Sequence, residues 1–160
     1  MKKHTAPKMV AKTCIAVKNS KIHGRGVFVK KEIPKGAAII EYVGERISWK
    51  EALRRHPHDP NQPNHTFYFG LEDGSVIDAK FGGNESMWVN HSCSPNCEAI
   101  EEDFKRGTKV FLYARKNIRE GDELFYDYGL QIEGKITKSL KKDYECHCGK
   151  KKCRGTMLAL

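Results

Sequence analysis

The chain has 160 residues, 39% of them hydrophobic and 31% charged, with 29 Lys plus Arg against 20 Asp plus Glu. That length bounds the architecture to one domain, with room for a small appended lobe, and the composition is that of a packed core, not a disordered chain. The longest apolar run, Ala37-Ala38-Ile39-Ile40, is far short of the roughly 20 residues a membrane-spanning helix needs, so a spanning helix is excluded and no membrane partner is expected.

The predicted elements are short. Residues 1–13 form an N-terminal extension, MKKHTAPKMVAKT, charged but with no apolar run behind it to make a secretory signal. The expectation is an intracellular protein: nuclear or chromosomal in a eukaryote or a host, cytoplasmic or nucleoid-bound in a bacterium. Cys14–Val17 and Val27–Val29 read as strands around a Gly24-Arg25-Gly26 turn, and Ala37–Val43 as a buried strand ended by Gly44. Ser48-Trp49-Lys50-Glu51 is a capping box opening a short helix that Pro57 stops. His56 to Asn64 is a surface loop, where His56, His58 and His65 lack the thiolate or carboxylate neighbours of a metal site.

Thr66–Phe69 and Ser75–Ile77 flank Glu72-Asp73-Gly74, a hairpin signal. Further strands fall at Glu98–Ile100, Lys109–Ala114 and Glu123–Tyr126, and Arg106-Gly107 and Glu120-Gly121-Asp122 turn the chain between them. The fold class is mostly β (α+β), with no long βαβ pattern to support a doubly wound sheet. Cations gather at the tail (Lys135, Lys138, Lys141, Lys142, Lys150, Lys151, Lys152, Arg154). Acids gather at Glu98–Asp103 and at Glu120, Asp122, Glu123 and Asp127. Charge alone fits two solvated faces, or a basic face for a polyanion beside an acidic face for a cationic substrate.

Three clusters carry chemistry. Cys146, Cys148 and Cys153 cannot pair among themselves without leaving one over, and in a reducing compartment three thiols this close suit a tetrahedral Zn²⁺. Neighbouring Lys and Arg offset the thiolate charge. The fourth ligand is one of Cys14, Cys93, Cys97, His91 or His147, and spacing does not choose. In Asn90-His91-Ser92-Cys93-Ser94-Pro95-Asn96-Cys97 a Cys–His nucleophile competes with a buried polar turn, and the two residues' proximity in sequence favours the turn. In Glu123–Gly129, Tyr126 and Tyr128 share one face of an extended segment. With Tyr42, Phe67, Tyr68 and Phe69 they are either strand aromatics in a core or the wall of a passage for a lysine stem.

Taken together and in order, these motifs resemble the SET-domain protein lysine methyltransferases. Gly24-Arg25-Gly26-Val27-Phe28 is similar to that family's opening glycine motif, and Glu41-Tyr42-Val43-Gly44-Glu45 to its tyrosine–x–glycine segment. Asp78-Ala79, Gly83-Asn84 and Asn90–Cys97 are similar to the central signature, Gly121–Gly129 to the terminal one, and the three-cysteine tail with Gly155 to the post-SET motif. The resemblance spans roughly Ile15 to Leu158 and divides the chain into a SET domain (14–130), a basic linker (131–142) and a post-SET zinc segment (143–160). The usual pre-SET lobe has no counterpart. Where the family commonly has Arg-Phe, this chain has Met87-Trp88, which keeps the bulk and drops a cation.

The resemblance implies small curved β-sheets with a knot-like crossing and a zinc-bound C-terminal lobe. It implies S-adenosylmethionine as cofactor, contacted by Arg25, Gly26, Asn90, His91, Tyr128 and His147, with Met157 or Leu158 near the adenine. It implies a structural Zn²⁺ held by Cys93, Cys146, Cys148 and Cys153. Tyr42, Tyr126 and Tyr128 become the catalytic phenols, and Tyr68, Phe69 and Tyr126 the substrate-binding set. The implied partner is a basic protein such as a histone tail or a DNA-packaging protein, mainly mono- or dimethylated because position 126 is Tyr and not Phe, with nucleic-acid contact through the basic C-terminal segment. The competing readings are a catalytically silent peptide-binding module and a zinc-stabilised nucleic-acid-binding module.

Overall fold

A computed structural model describes residues 5–56 and 67–160. The loop carrying His58 and His65, the stopping Pro57 and the start of the strand expected at Thr66 lie outside the described residues. Four small sheets form among the described residues, as the short periodic segments require. β1 (Ile15–Asn19) and β2 (Arg25–Val29) make an antiparallel hairpin, Val17 opposite Val27. β3 (Ala38–Tyr42), β8 (Cys97–Phe104) and β9 (Gly107–Ala114) form an antiparallel sheet with β9 in the centre. β4 (Glu45–Ile47), β5 (Tyr68–Gly70) and β6 (Val76–Asp78) form a third, β6 in the centre. β7 (Asn90–His91) pairs in parallel with β10 (Phe125–Tyr126).

Turn chemistry explains the hairpin between β5 and β6. The Gly74 amide donates to the Leu71 carbonyl at 3.0 Å, Gly74 takes φ +86°, and Asp73 Oδ1 accepts the Ser75 amide at 2.8 Å. The helix α1 (Trp49–Arg55) starts as expected, Ser48 Oγ accepting the Glu51 amide at 3.1 Å. Only half of the capping box forms, because Glu51 turns its carboxylate to Arg54 and Arg55. Arg55 also reaches Glu45 and the fully buried Asp78 at 3.0 and 3.1 Å, fastening α1 to β4 and β6.

The main core lies under β2, β3 and β9, where Val27, Ile33, Leu112, Ile118 and Leu124 are fully buried. Residues 9–14 of the extension dock on it: the Val10 amide donates to the Ala38 carbonyl at 2.9 Å, and Lys12–Cys14 is a 3₁₀ turn. The stretch read as a basic linker contains a helix, α2 (Lys138–Asp143), whose first turn is capped by Thr137 Oγ1 accepting the Leu140 amide at 3.1 Å. No helix of the described residues is long and apolar enough to cross a membrane.

The crossing of the two signature segments is held by a side chain acting as backbone. Asn96 donates from Nδ2 to the Glu123 carbonyl at 2.8 Å and accepts the Phe125 amide on Oδ1 at 2.9 Å. The Ser92 amide donates to the Tyr126 carbonyl at 3.2 Å. Removing the Asn96 side-chain amide would leave two part-buried backbone groups without that partner, at up to about 1–3 kcal/mol each. This fixes residues 90–97 against residues 123–128, where all three chemical clusters meet.

Candidate active site and metal centre

The phenols of Tyr42 at the end of β3 and of Tyr126 and Tyr128 on and after β10 belong to one continuous aromatic wall. Ring centroids run from Tyr42 to Phe69 at 5.4 Å, Phe69 to Tyr126 at 6.3 Å and Tyr126 to Tyr128 at 4.8 Å. Two hydroxyls are aimed by backbone carbonyls: Tyr42 donates to Phe67 O at 2.8 Å and Tyr128 to Val89 O at 2.6 Å. Burial pushes all three phenols well above the ordinary tyrosine range, and neighbouring phenolates would add to the rise for Tyr42 and Tyr126. They stay protonated donors at any physiological pH.

Phe69 and Tyr128 also wall a recess of about 210 Å³ that includes Pro95, Glu98, Arg115 and Asp127. Tyr68 lies elsewhere. Strand alternation turns it to the opposite face of β5, where its hydroxyl donates to Ala52 O at 3.0 Å and its ring packs on Ile47, Ala52 and Val76.

Arg25 and Gly26 come from β2, and Asn90 and His91 from β7. The Arg25 guanidinium sits 5.5 Å over the Trp88 ring, which in turn meets Phe67 edge-on at 5.3 Å. Trp88 therefore does more than keep bulk: it carries a cation at the place where the sequence dropped one. Met87 packs instead against the cluster of Tyr42, Leu71 and Ile77. The Asn90 amide nitrogen donates to Arg25 O at 2.9 Å and to Glu123 Oε1 at 2.9 Å, and Ser20 Oγ donates to the same carboxylate at 2.8 Å. A Cβ at Gly26 would run into that carboxylate, so the glycine lets the hairpin close over Glu123. Glu123 is thus an internal anchor, and Asp127 is taken by Arg154 at 2.7 and 2.8 Å. Glu102 receives the Tyr113 hydroxyl and Glu101 the Glu72 amide. Of the acids expected on one face, Asp127 is ion-paired and Glu123 is held inside, while Glu98 lies at the recess.

His91 is buried, and burial holds its imidazole down at about 4, against the opposing pull of Asp127. His147 points outward, 59% exposed, its nearest carboxylate Glu145 at 4.0 Å. Leu158 is fully buried, with Leu130 paired to it, and Met157 is half-buried with its amide on Tyr144 O at 2.8 Å.

Folding answers the question that spacing left open. The thiols of Cys93, Cys146, Cys148 and Cys153 all lie within 4.8 Å of one another, with Cys93 at 3.7 Å from Cys146 and 3.9 Å from Cys153. Zinc–sulfur bonds of about 2.3 Å in a tetrahedron demand sulfur–sulfur edges of about 3.8 Å, so the quartet fits Zn²⁺. Burial pushes the Cys93 and Cys146 thiols up. At Cys148 burial opposes ionisation but is outweighed by hydrogen bonds from the Lys150 and Cys93 amides, which bring it down to about 6. Cys97 is buried in the main core and its thiol is pushed up to about 12, while Cys14 stands apart; neither joins the quartet.

Residues 24–129 match the family model described as SET domain. The chain belongs to the SET-domain family. It is 33% identical over 152 residues to histone-lysine N-methyltransferase trithorax of Drosophila virilis, covering 95% of this chain and 4% of that protein. It is 34% identical over 147 residues to human histone-lysine N-methyltransferase 2B, covering 92% of this chain and 5% of the relative. Among solved structures it is similar to the Chaetomium thermophilum polycomb repressive complex 2 (TM-score 0.68, 29% identity, 74% of this chain and 16% of that one). The same complex in an autoinhibited conformation bound to S-adenosylmethionine gives TM-score 0.67 at 29% identity over 78% of this chain and 15% of that one. The chain thus corresponds to a small part of each relative's length, and the SET fold, the family and the four-cysteine centre stand on these matches and on the geometry together.

The residues that sequence reasoning missed act through backbone or through partners distant in sequence. The carbonyls of Phe67 and Val89 that aim the phenols leave no side-chain signature, and the role of Glu123 depends on Ser20, 103 residues away.

Proposed function

We propose that this SET domain transfers methyl groups from S-adenosylmethionine to a lysine side chain of a basic protein. The observation that supports it best is the wall of protonated phenols, Tyr42, Tyr126 and Tyr128, joined through Phe69 and bordering the recess that Phe69 and Tyr128 line. The cofactor supplies an electrophilic methyl on a sulfonium. The chain's residues do the rest. Arg25 on Trp88 offers a cation for a carboxylate, and the backbone of Gly26, Asn90 and His91 offers amides and carbonyls; the Asn90 and His91 side chains are engaged within the fold. Phe69, Tyr126 and Tyr128 take the apolar lysine stem, and Glu98 at the recess favours a basic flanking residue.

Only a neutral amine attacks, and a lysine of pKa about 10.4 loses roughly 4–5 kcal/mol in becoming one at pH 7. An apolar, desolvating wall disfavours the ammonium and reduces that cost. The amine proton leaves to solvent before transfer. Tyr42 and Tyr128 hydroxyls and nearby carbonyls hold the nitrogen and methyl on one axis. Tyr126 fills the space that further methyl groups would need, so the product is mainly mono- and dimethyl-lysine. The relatives' names point to histones as the substrate class and so to chromatin as the place of action.

Label transfer from the cofactor to mixed core histones, cut about 10²-fold by Tyr128→Phe, is the expected result. Binding of histone peptides without transfer would favour the silent module. Tyr126→Phe should raise the fraction of trimethyl-lysine, and an unchanged product distribution would remove that role. A second contact is supported by the exposed lysines 135, 138, 141, 142 and 150–152 around α2 and the cysteine loop. We assign them to the phosphate backbone of nucleic acid carrying the substrate. Binding to duplex DNA should weaken steeply with salt. If these lysines were the whole function, that binding would survive while transfer failed.

A further inference from the structure

Both nitrogens of the His91 ring are committed, and they point to opposite ends of the site. Nδ1 accepts the Tyr128 backbone amide at 3.0 Å. A ring nitrogen that accepts carries no proton, so the neutral imidazole holds its proton on Nε2. Nε2 lies 3.5 Å from Cys93 Sγ, one of the four clustered thiols. The ring is only 2% exposed, and it meets the Tyr128 ring edge-on at 5.3 Å. A second link runs alongside. Arg154, next to Cys153, grips Asp127 with two hydrogen bonds, and Asp127 Oδ1 accepts the Gly129 amide at 2.9 Å.

We propose that His91 is a positioning residue that couples the four-cysteine centre to Tyr128, so that metal loading sets the placement of that phenol. A metal-bound sulfur keeps its negative charge and accepts the Nε2–H strongly, whereas a free thiol bears its own proton and accepts weakly. Loading the cage therefore strengthens the hold on the imidazole, and the imidazole fixes the main chain from which the Tyr128 hydroxyl reaches Val89. The coupling is reciprocal: an imidazole fixed by Tyr128 raises the basicity and affinity of the cage. The consequence for catalysis rests on the methyltransferase reading; the coupling itself does not.

The test needs no variant at first. Long-range proton–nitrogen spectra of the zinc-loaded chain should show His91 protonated on Nε2, and adding zinc to the metal-free chain should slow hydrogen exchange at the Tyr128 amide. His91→Asn keeps an acceptor near the Nδ1 position and removes the donor to sulfur. It should weaken metal affinity about 10–100-fold in chelator competition, shift the sulfur-to-metal charge-transfer bands of the cobalt-substituted protein, and lose the metal-dependence of Tyr128 exchange. In transfer assays kcat should fall. A proton on Nδ1, or a His91→Asn chain with wild-type metal affinity and wild-type cobalt bands, overturns the coupling. Absence of transfer in the wild type with these metal readouts intact would overturn the methyltransferase reading alone.

Discussion

The SET body and the C-terminal lobe are held by different physics. Under β2, β3 and β9 the body buries a full aliphatic core, with Val27, Ile33, Leu112, Ile118 and Leu124 within 1% of complete burial. The lobe after α2 buries mainly Cys146, Cys148, Thr156 and Leu158, too little apolar surface to offset the entropy of ordering its chain. The difference teaches that the lobe's shape is a property of its metal, while the body's is a property of its sequence pattern. The lobe nonetheless reaches the proposed site, because Cys93 belongs to the body and His91 and Asp127 lie beside β10.

Metal removal breaks the comparison most sharply. A structural zinc site is worth about 10–16 kcal/mol of folding free energy, so Cys148→Ser or a strong chelator should release one zinc per chain and expose 143–160 to protease. The body's unfolding transition should remain; its simultaneous loss would show one cooperative unit. In the opposite direction, Leu124→Ala should cost the body about 2–5 kcal/mol in denaturant unfolding with zinc content unchanged. Between the two regions, Tyr128→Phe should cut transfer by about 10²-fold with both zinc content and body stability preserved.

The pH profile sharpens the picture further. Burial raises the three phenols, so none titrates between pH 7 and 9. The transfer rate should then rise about tenfold per pH unit in that range, as the substrate amine loses its proton, until another step limits it. A falling limb below pH 9 would require a titrating acid at the site. Smallest is the Arg25–Trp88 stack: Trp88→Leu should weaken S-adenosylmethionine binding by about 0.5–1 kcal/mol in calorimetry, with no effect on zinc.

The pattern of the body was legible because its strands alternate or run apolar between glycine turns. β8 and β9 extended beyond expectation through Glu101–Phe104 and Gly107–Thr108, where cross-strand pairing and not hydrophobicity keeps the ribbon together. β4 escaped notice because Glu45 and Arg46 are polar edge residues, extended only by pairing with β6. The helix α2 (KSLKKD) is hidden by its lysines, which leave no apolar stripe to read. At the site, residue types were readable and directions were not. Tyr68 and Phe69 look equivalent in a list of aromatics, yet adjacent strand positions must face apart. Spacing alone does not choose the fourth cysteine; the resemblance implies Cys93, and the fold carries residue 93 to residues 146–153.

The most direct test of the chemistry is amino-acid analysis of a basic protein after incubation with the zinc-loaded chain and methyl-labelled S-adenosylmethionine. The account predicts label recovered as mono- and dimethyl-lysine, dependent on Tyr42 and Tyr128. Label recovered on arginine, or none on lysine from a folded chain that binds the cofactor and holds zinc, would contradict it.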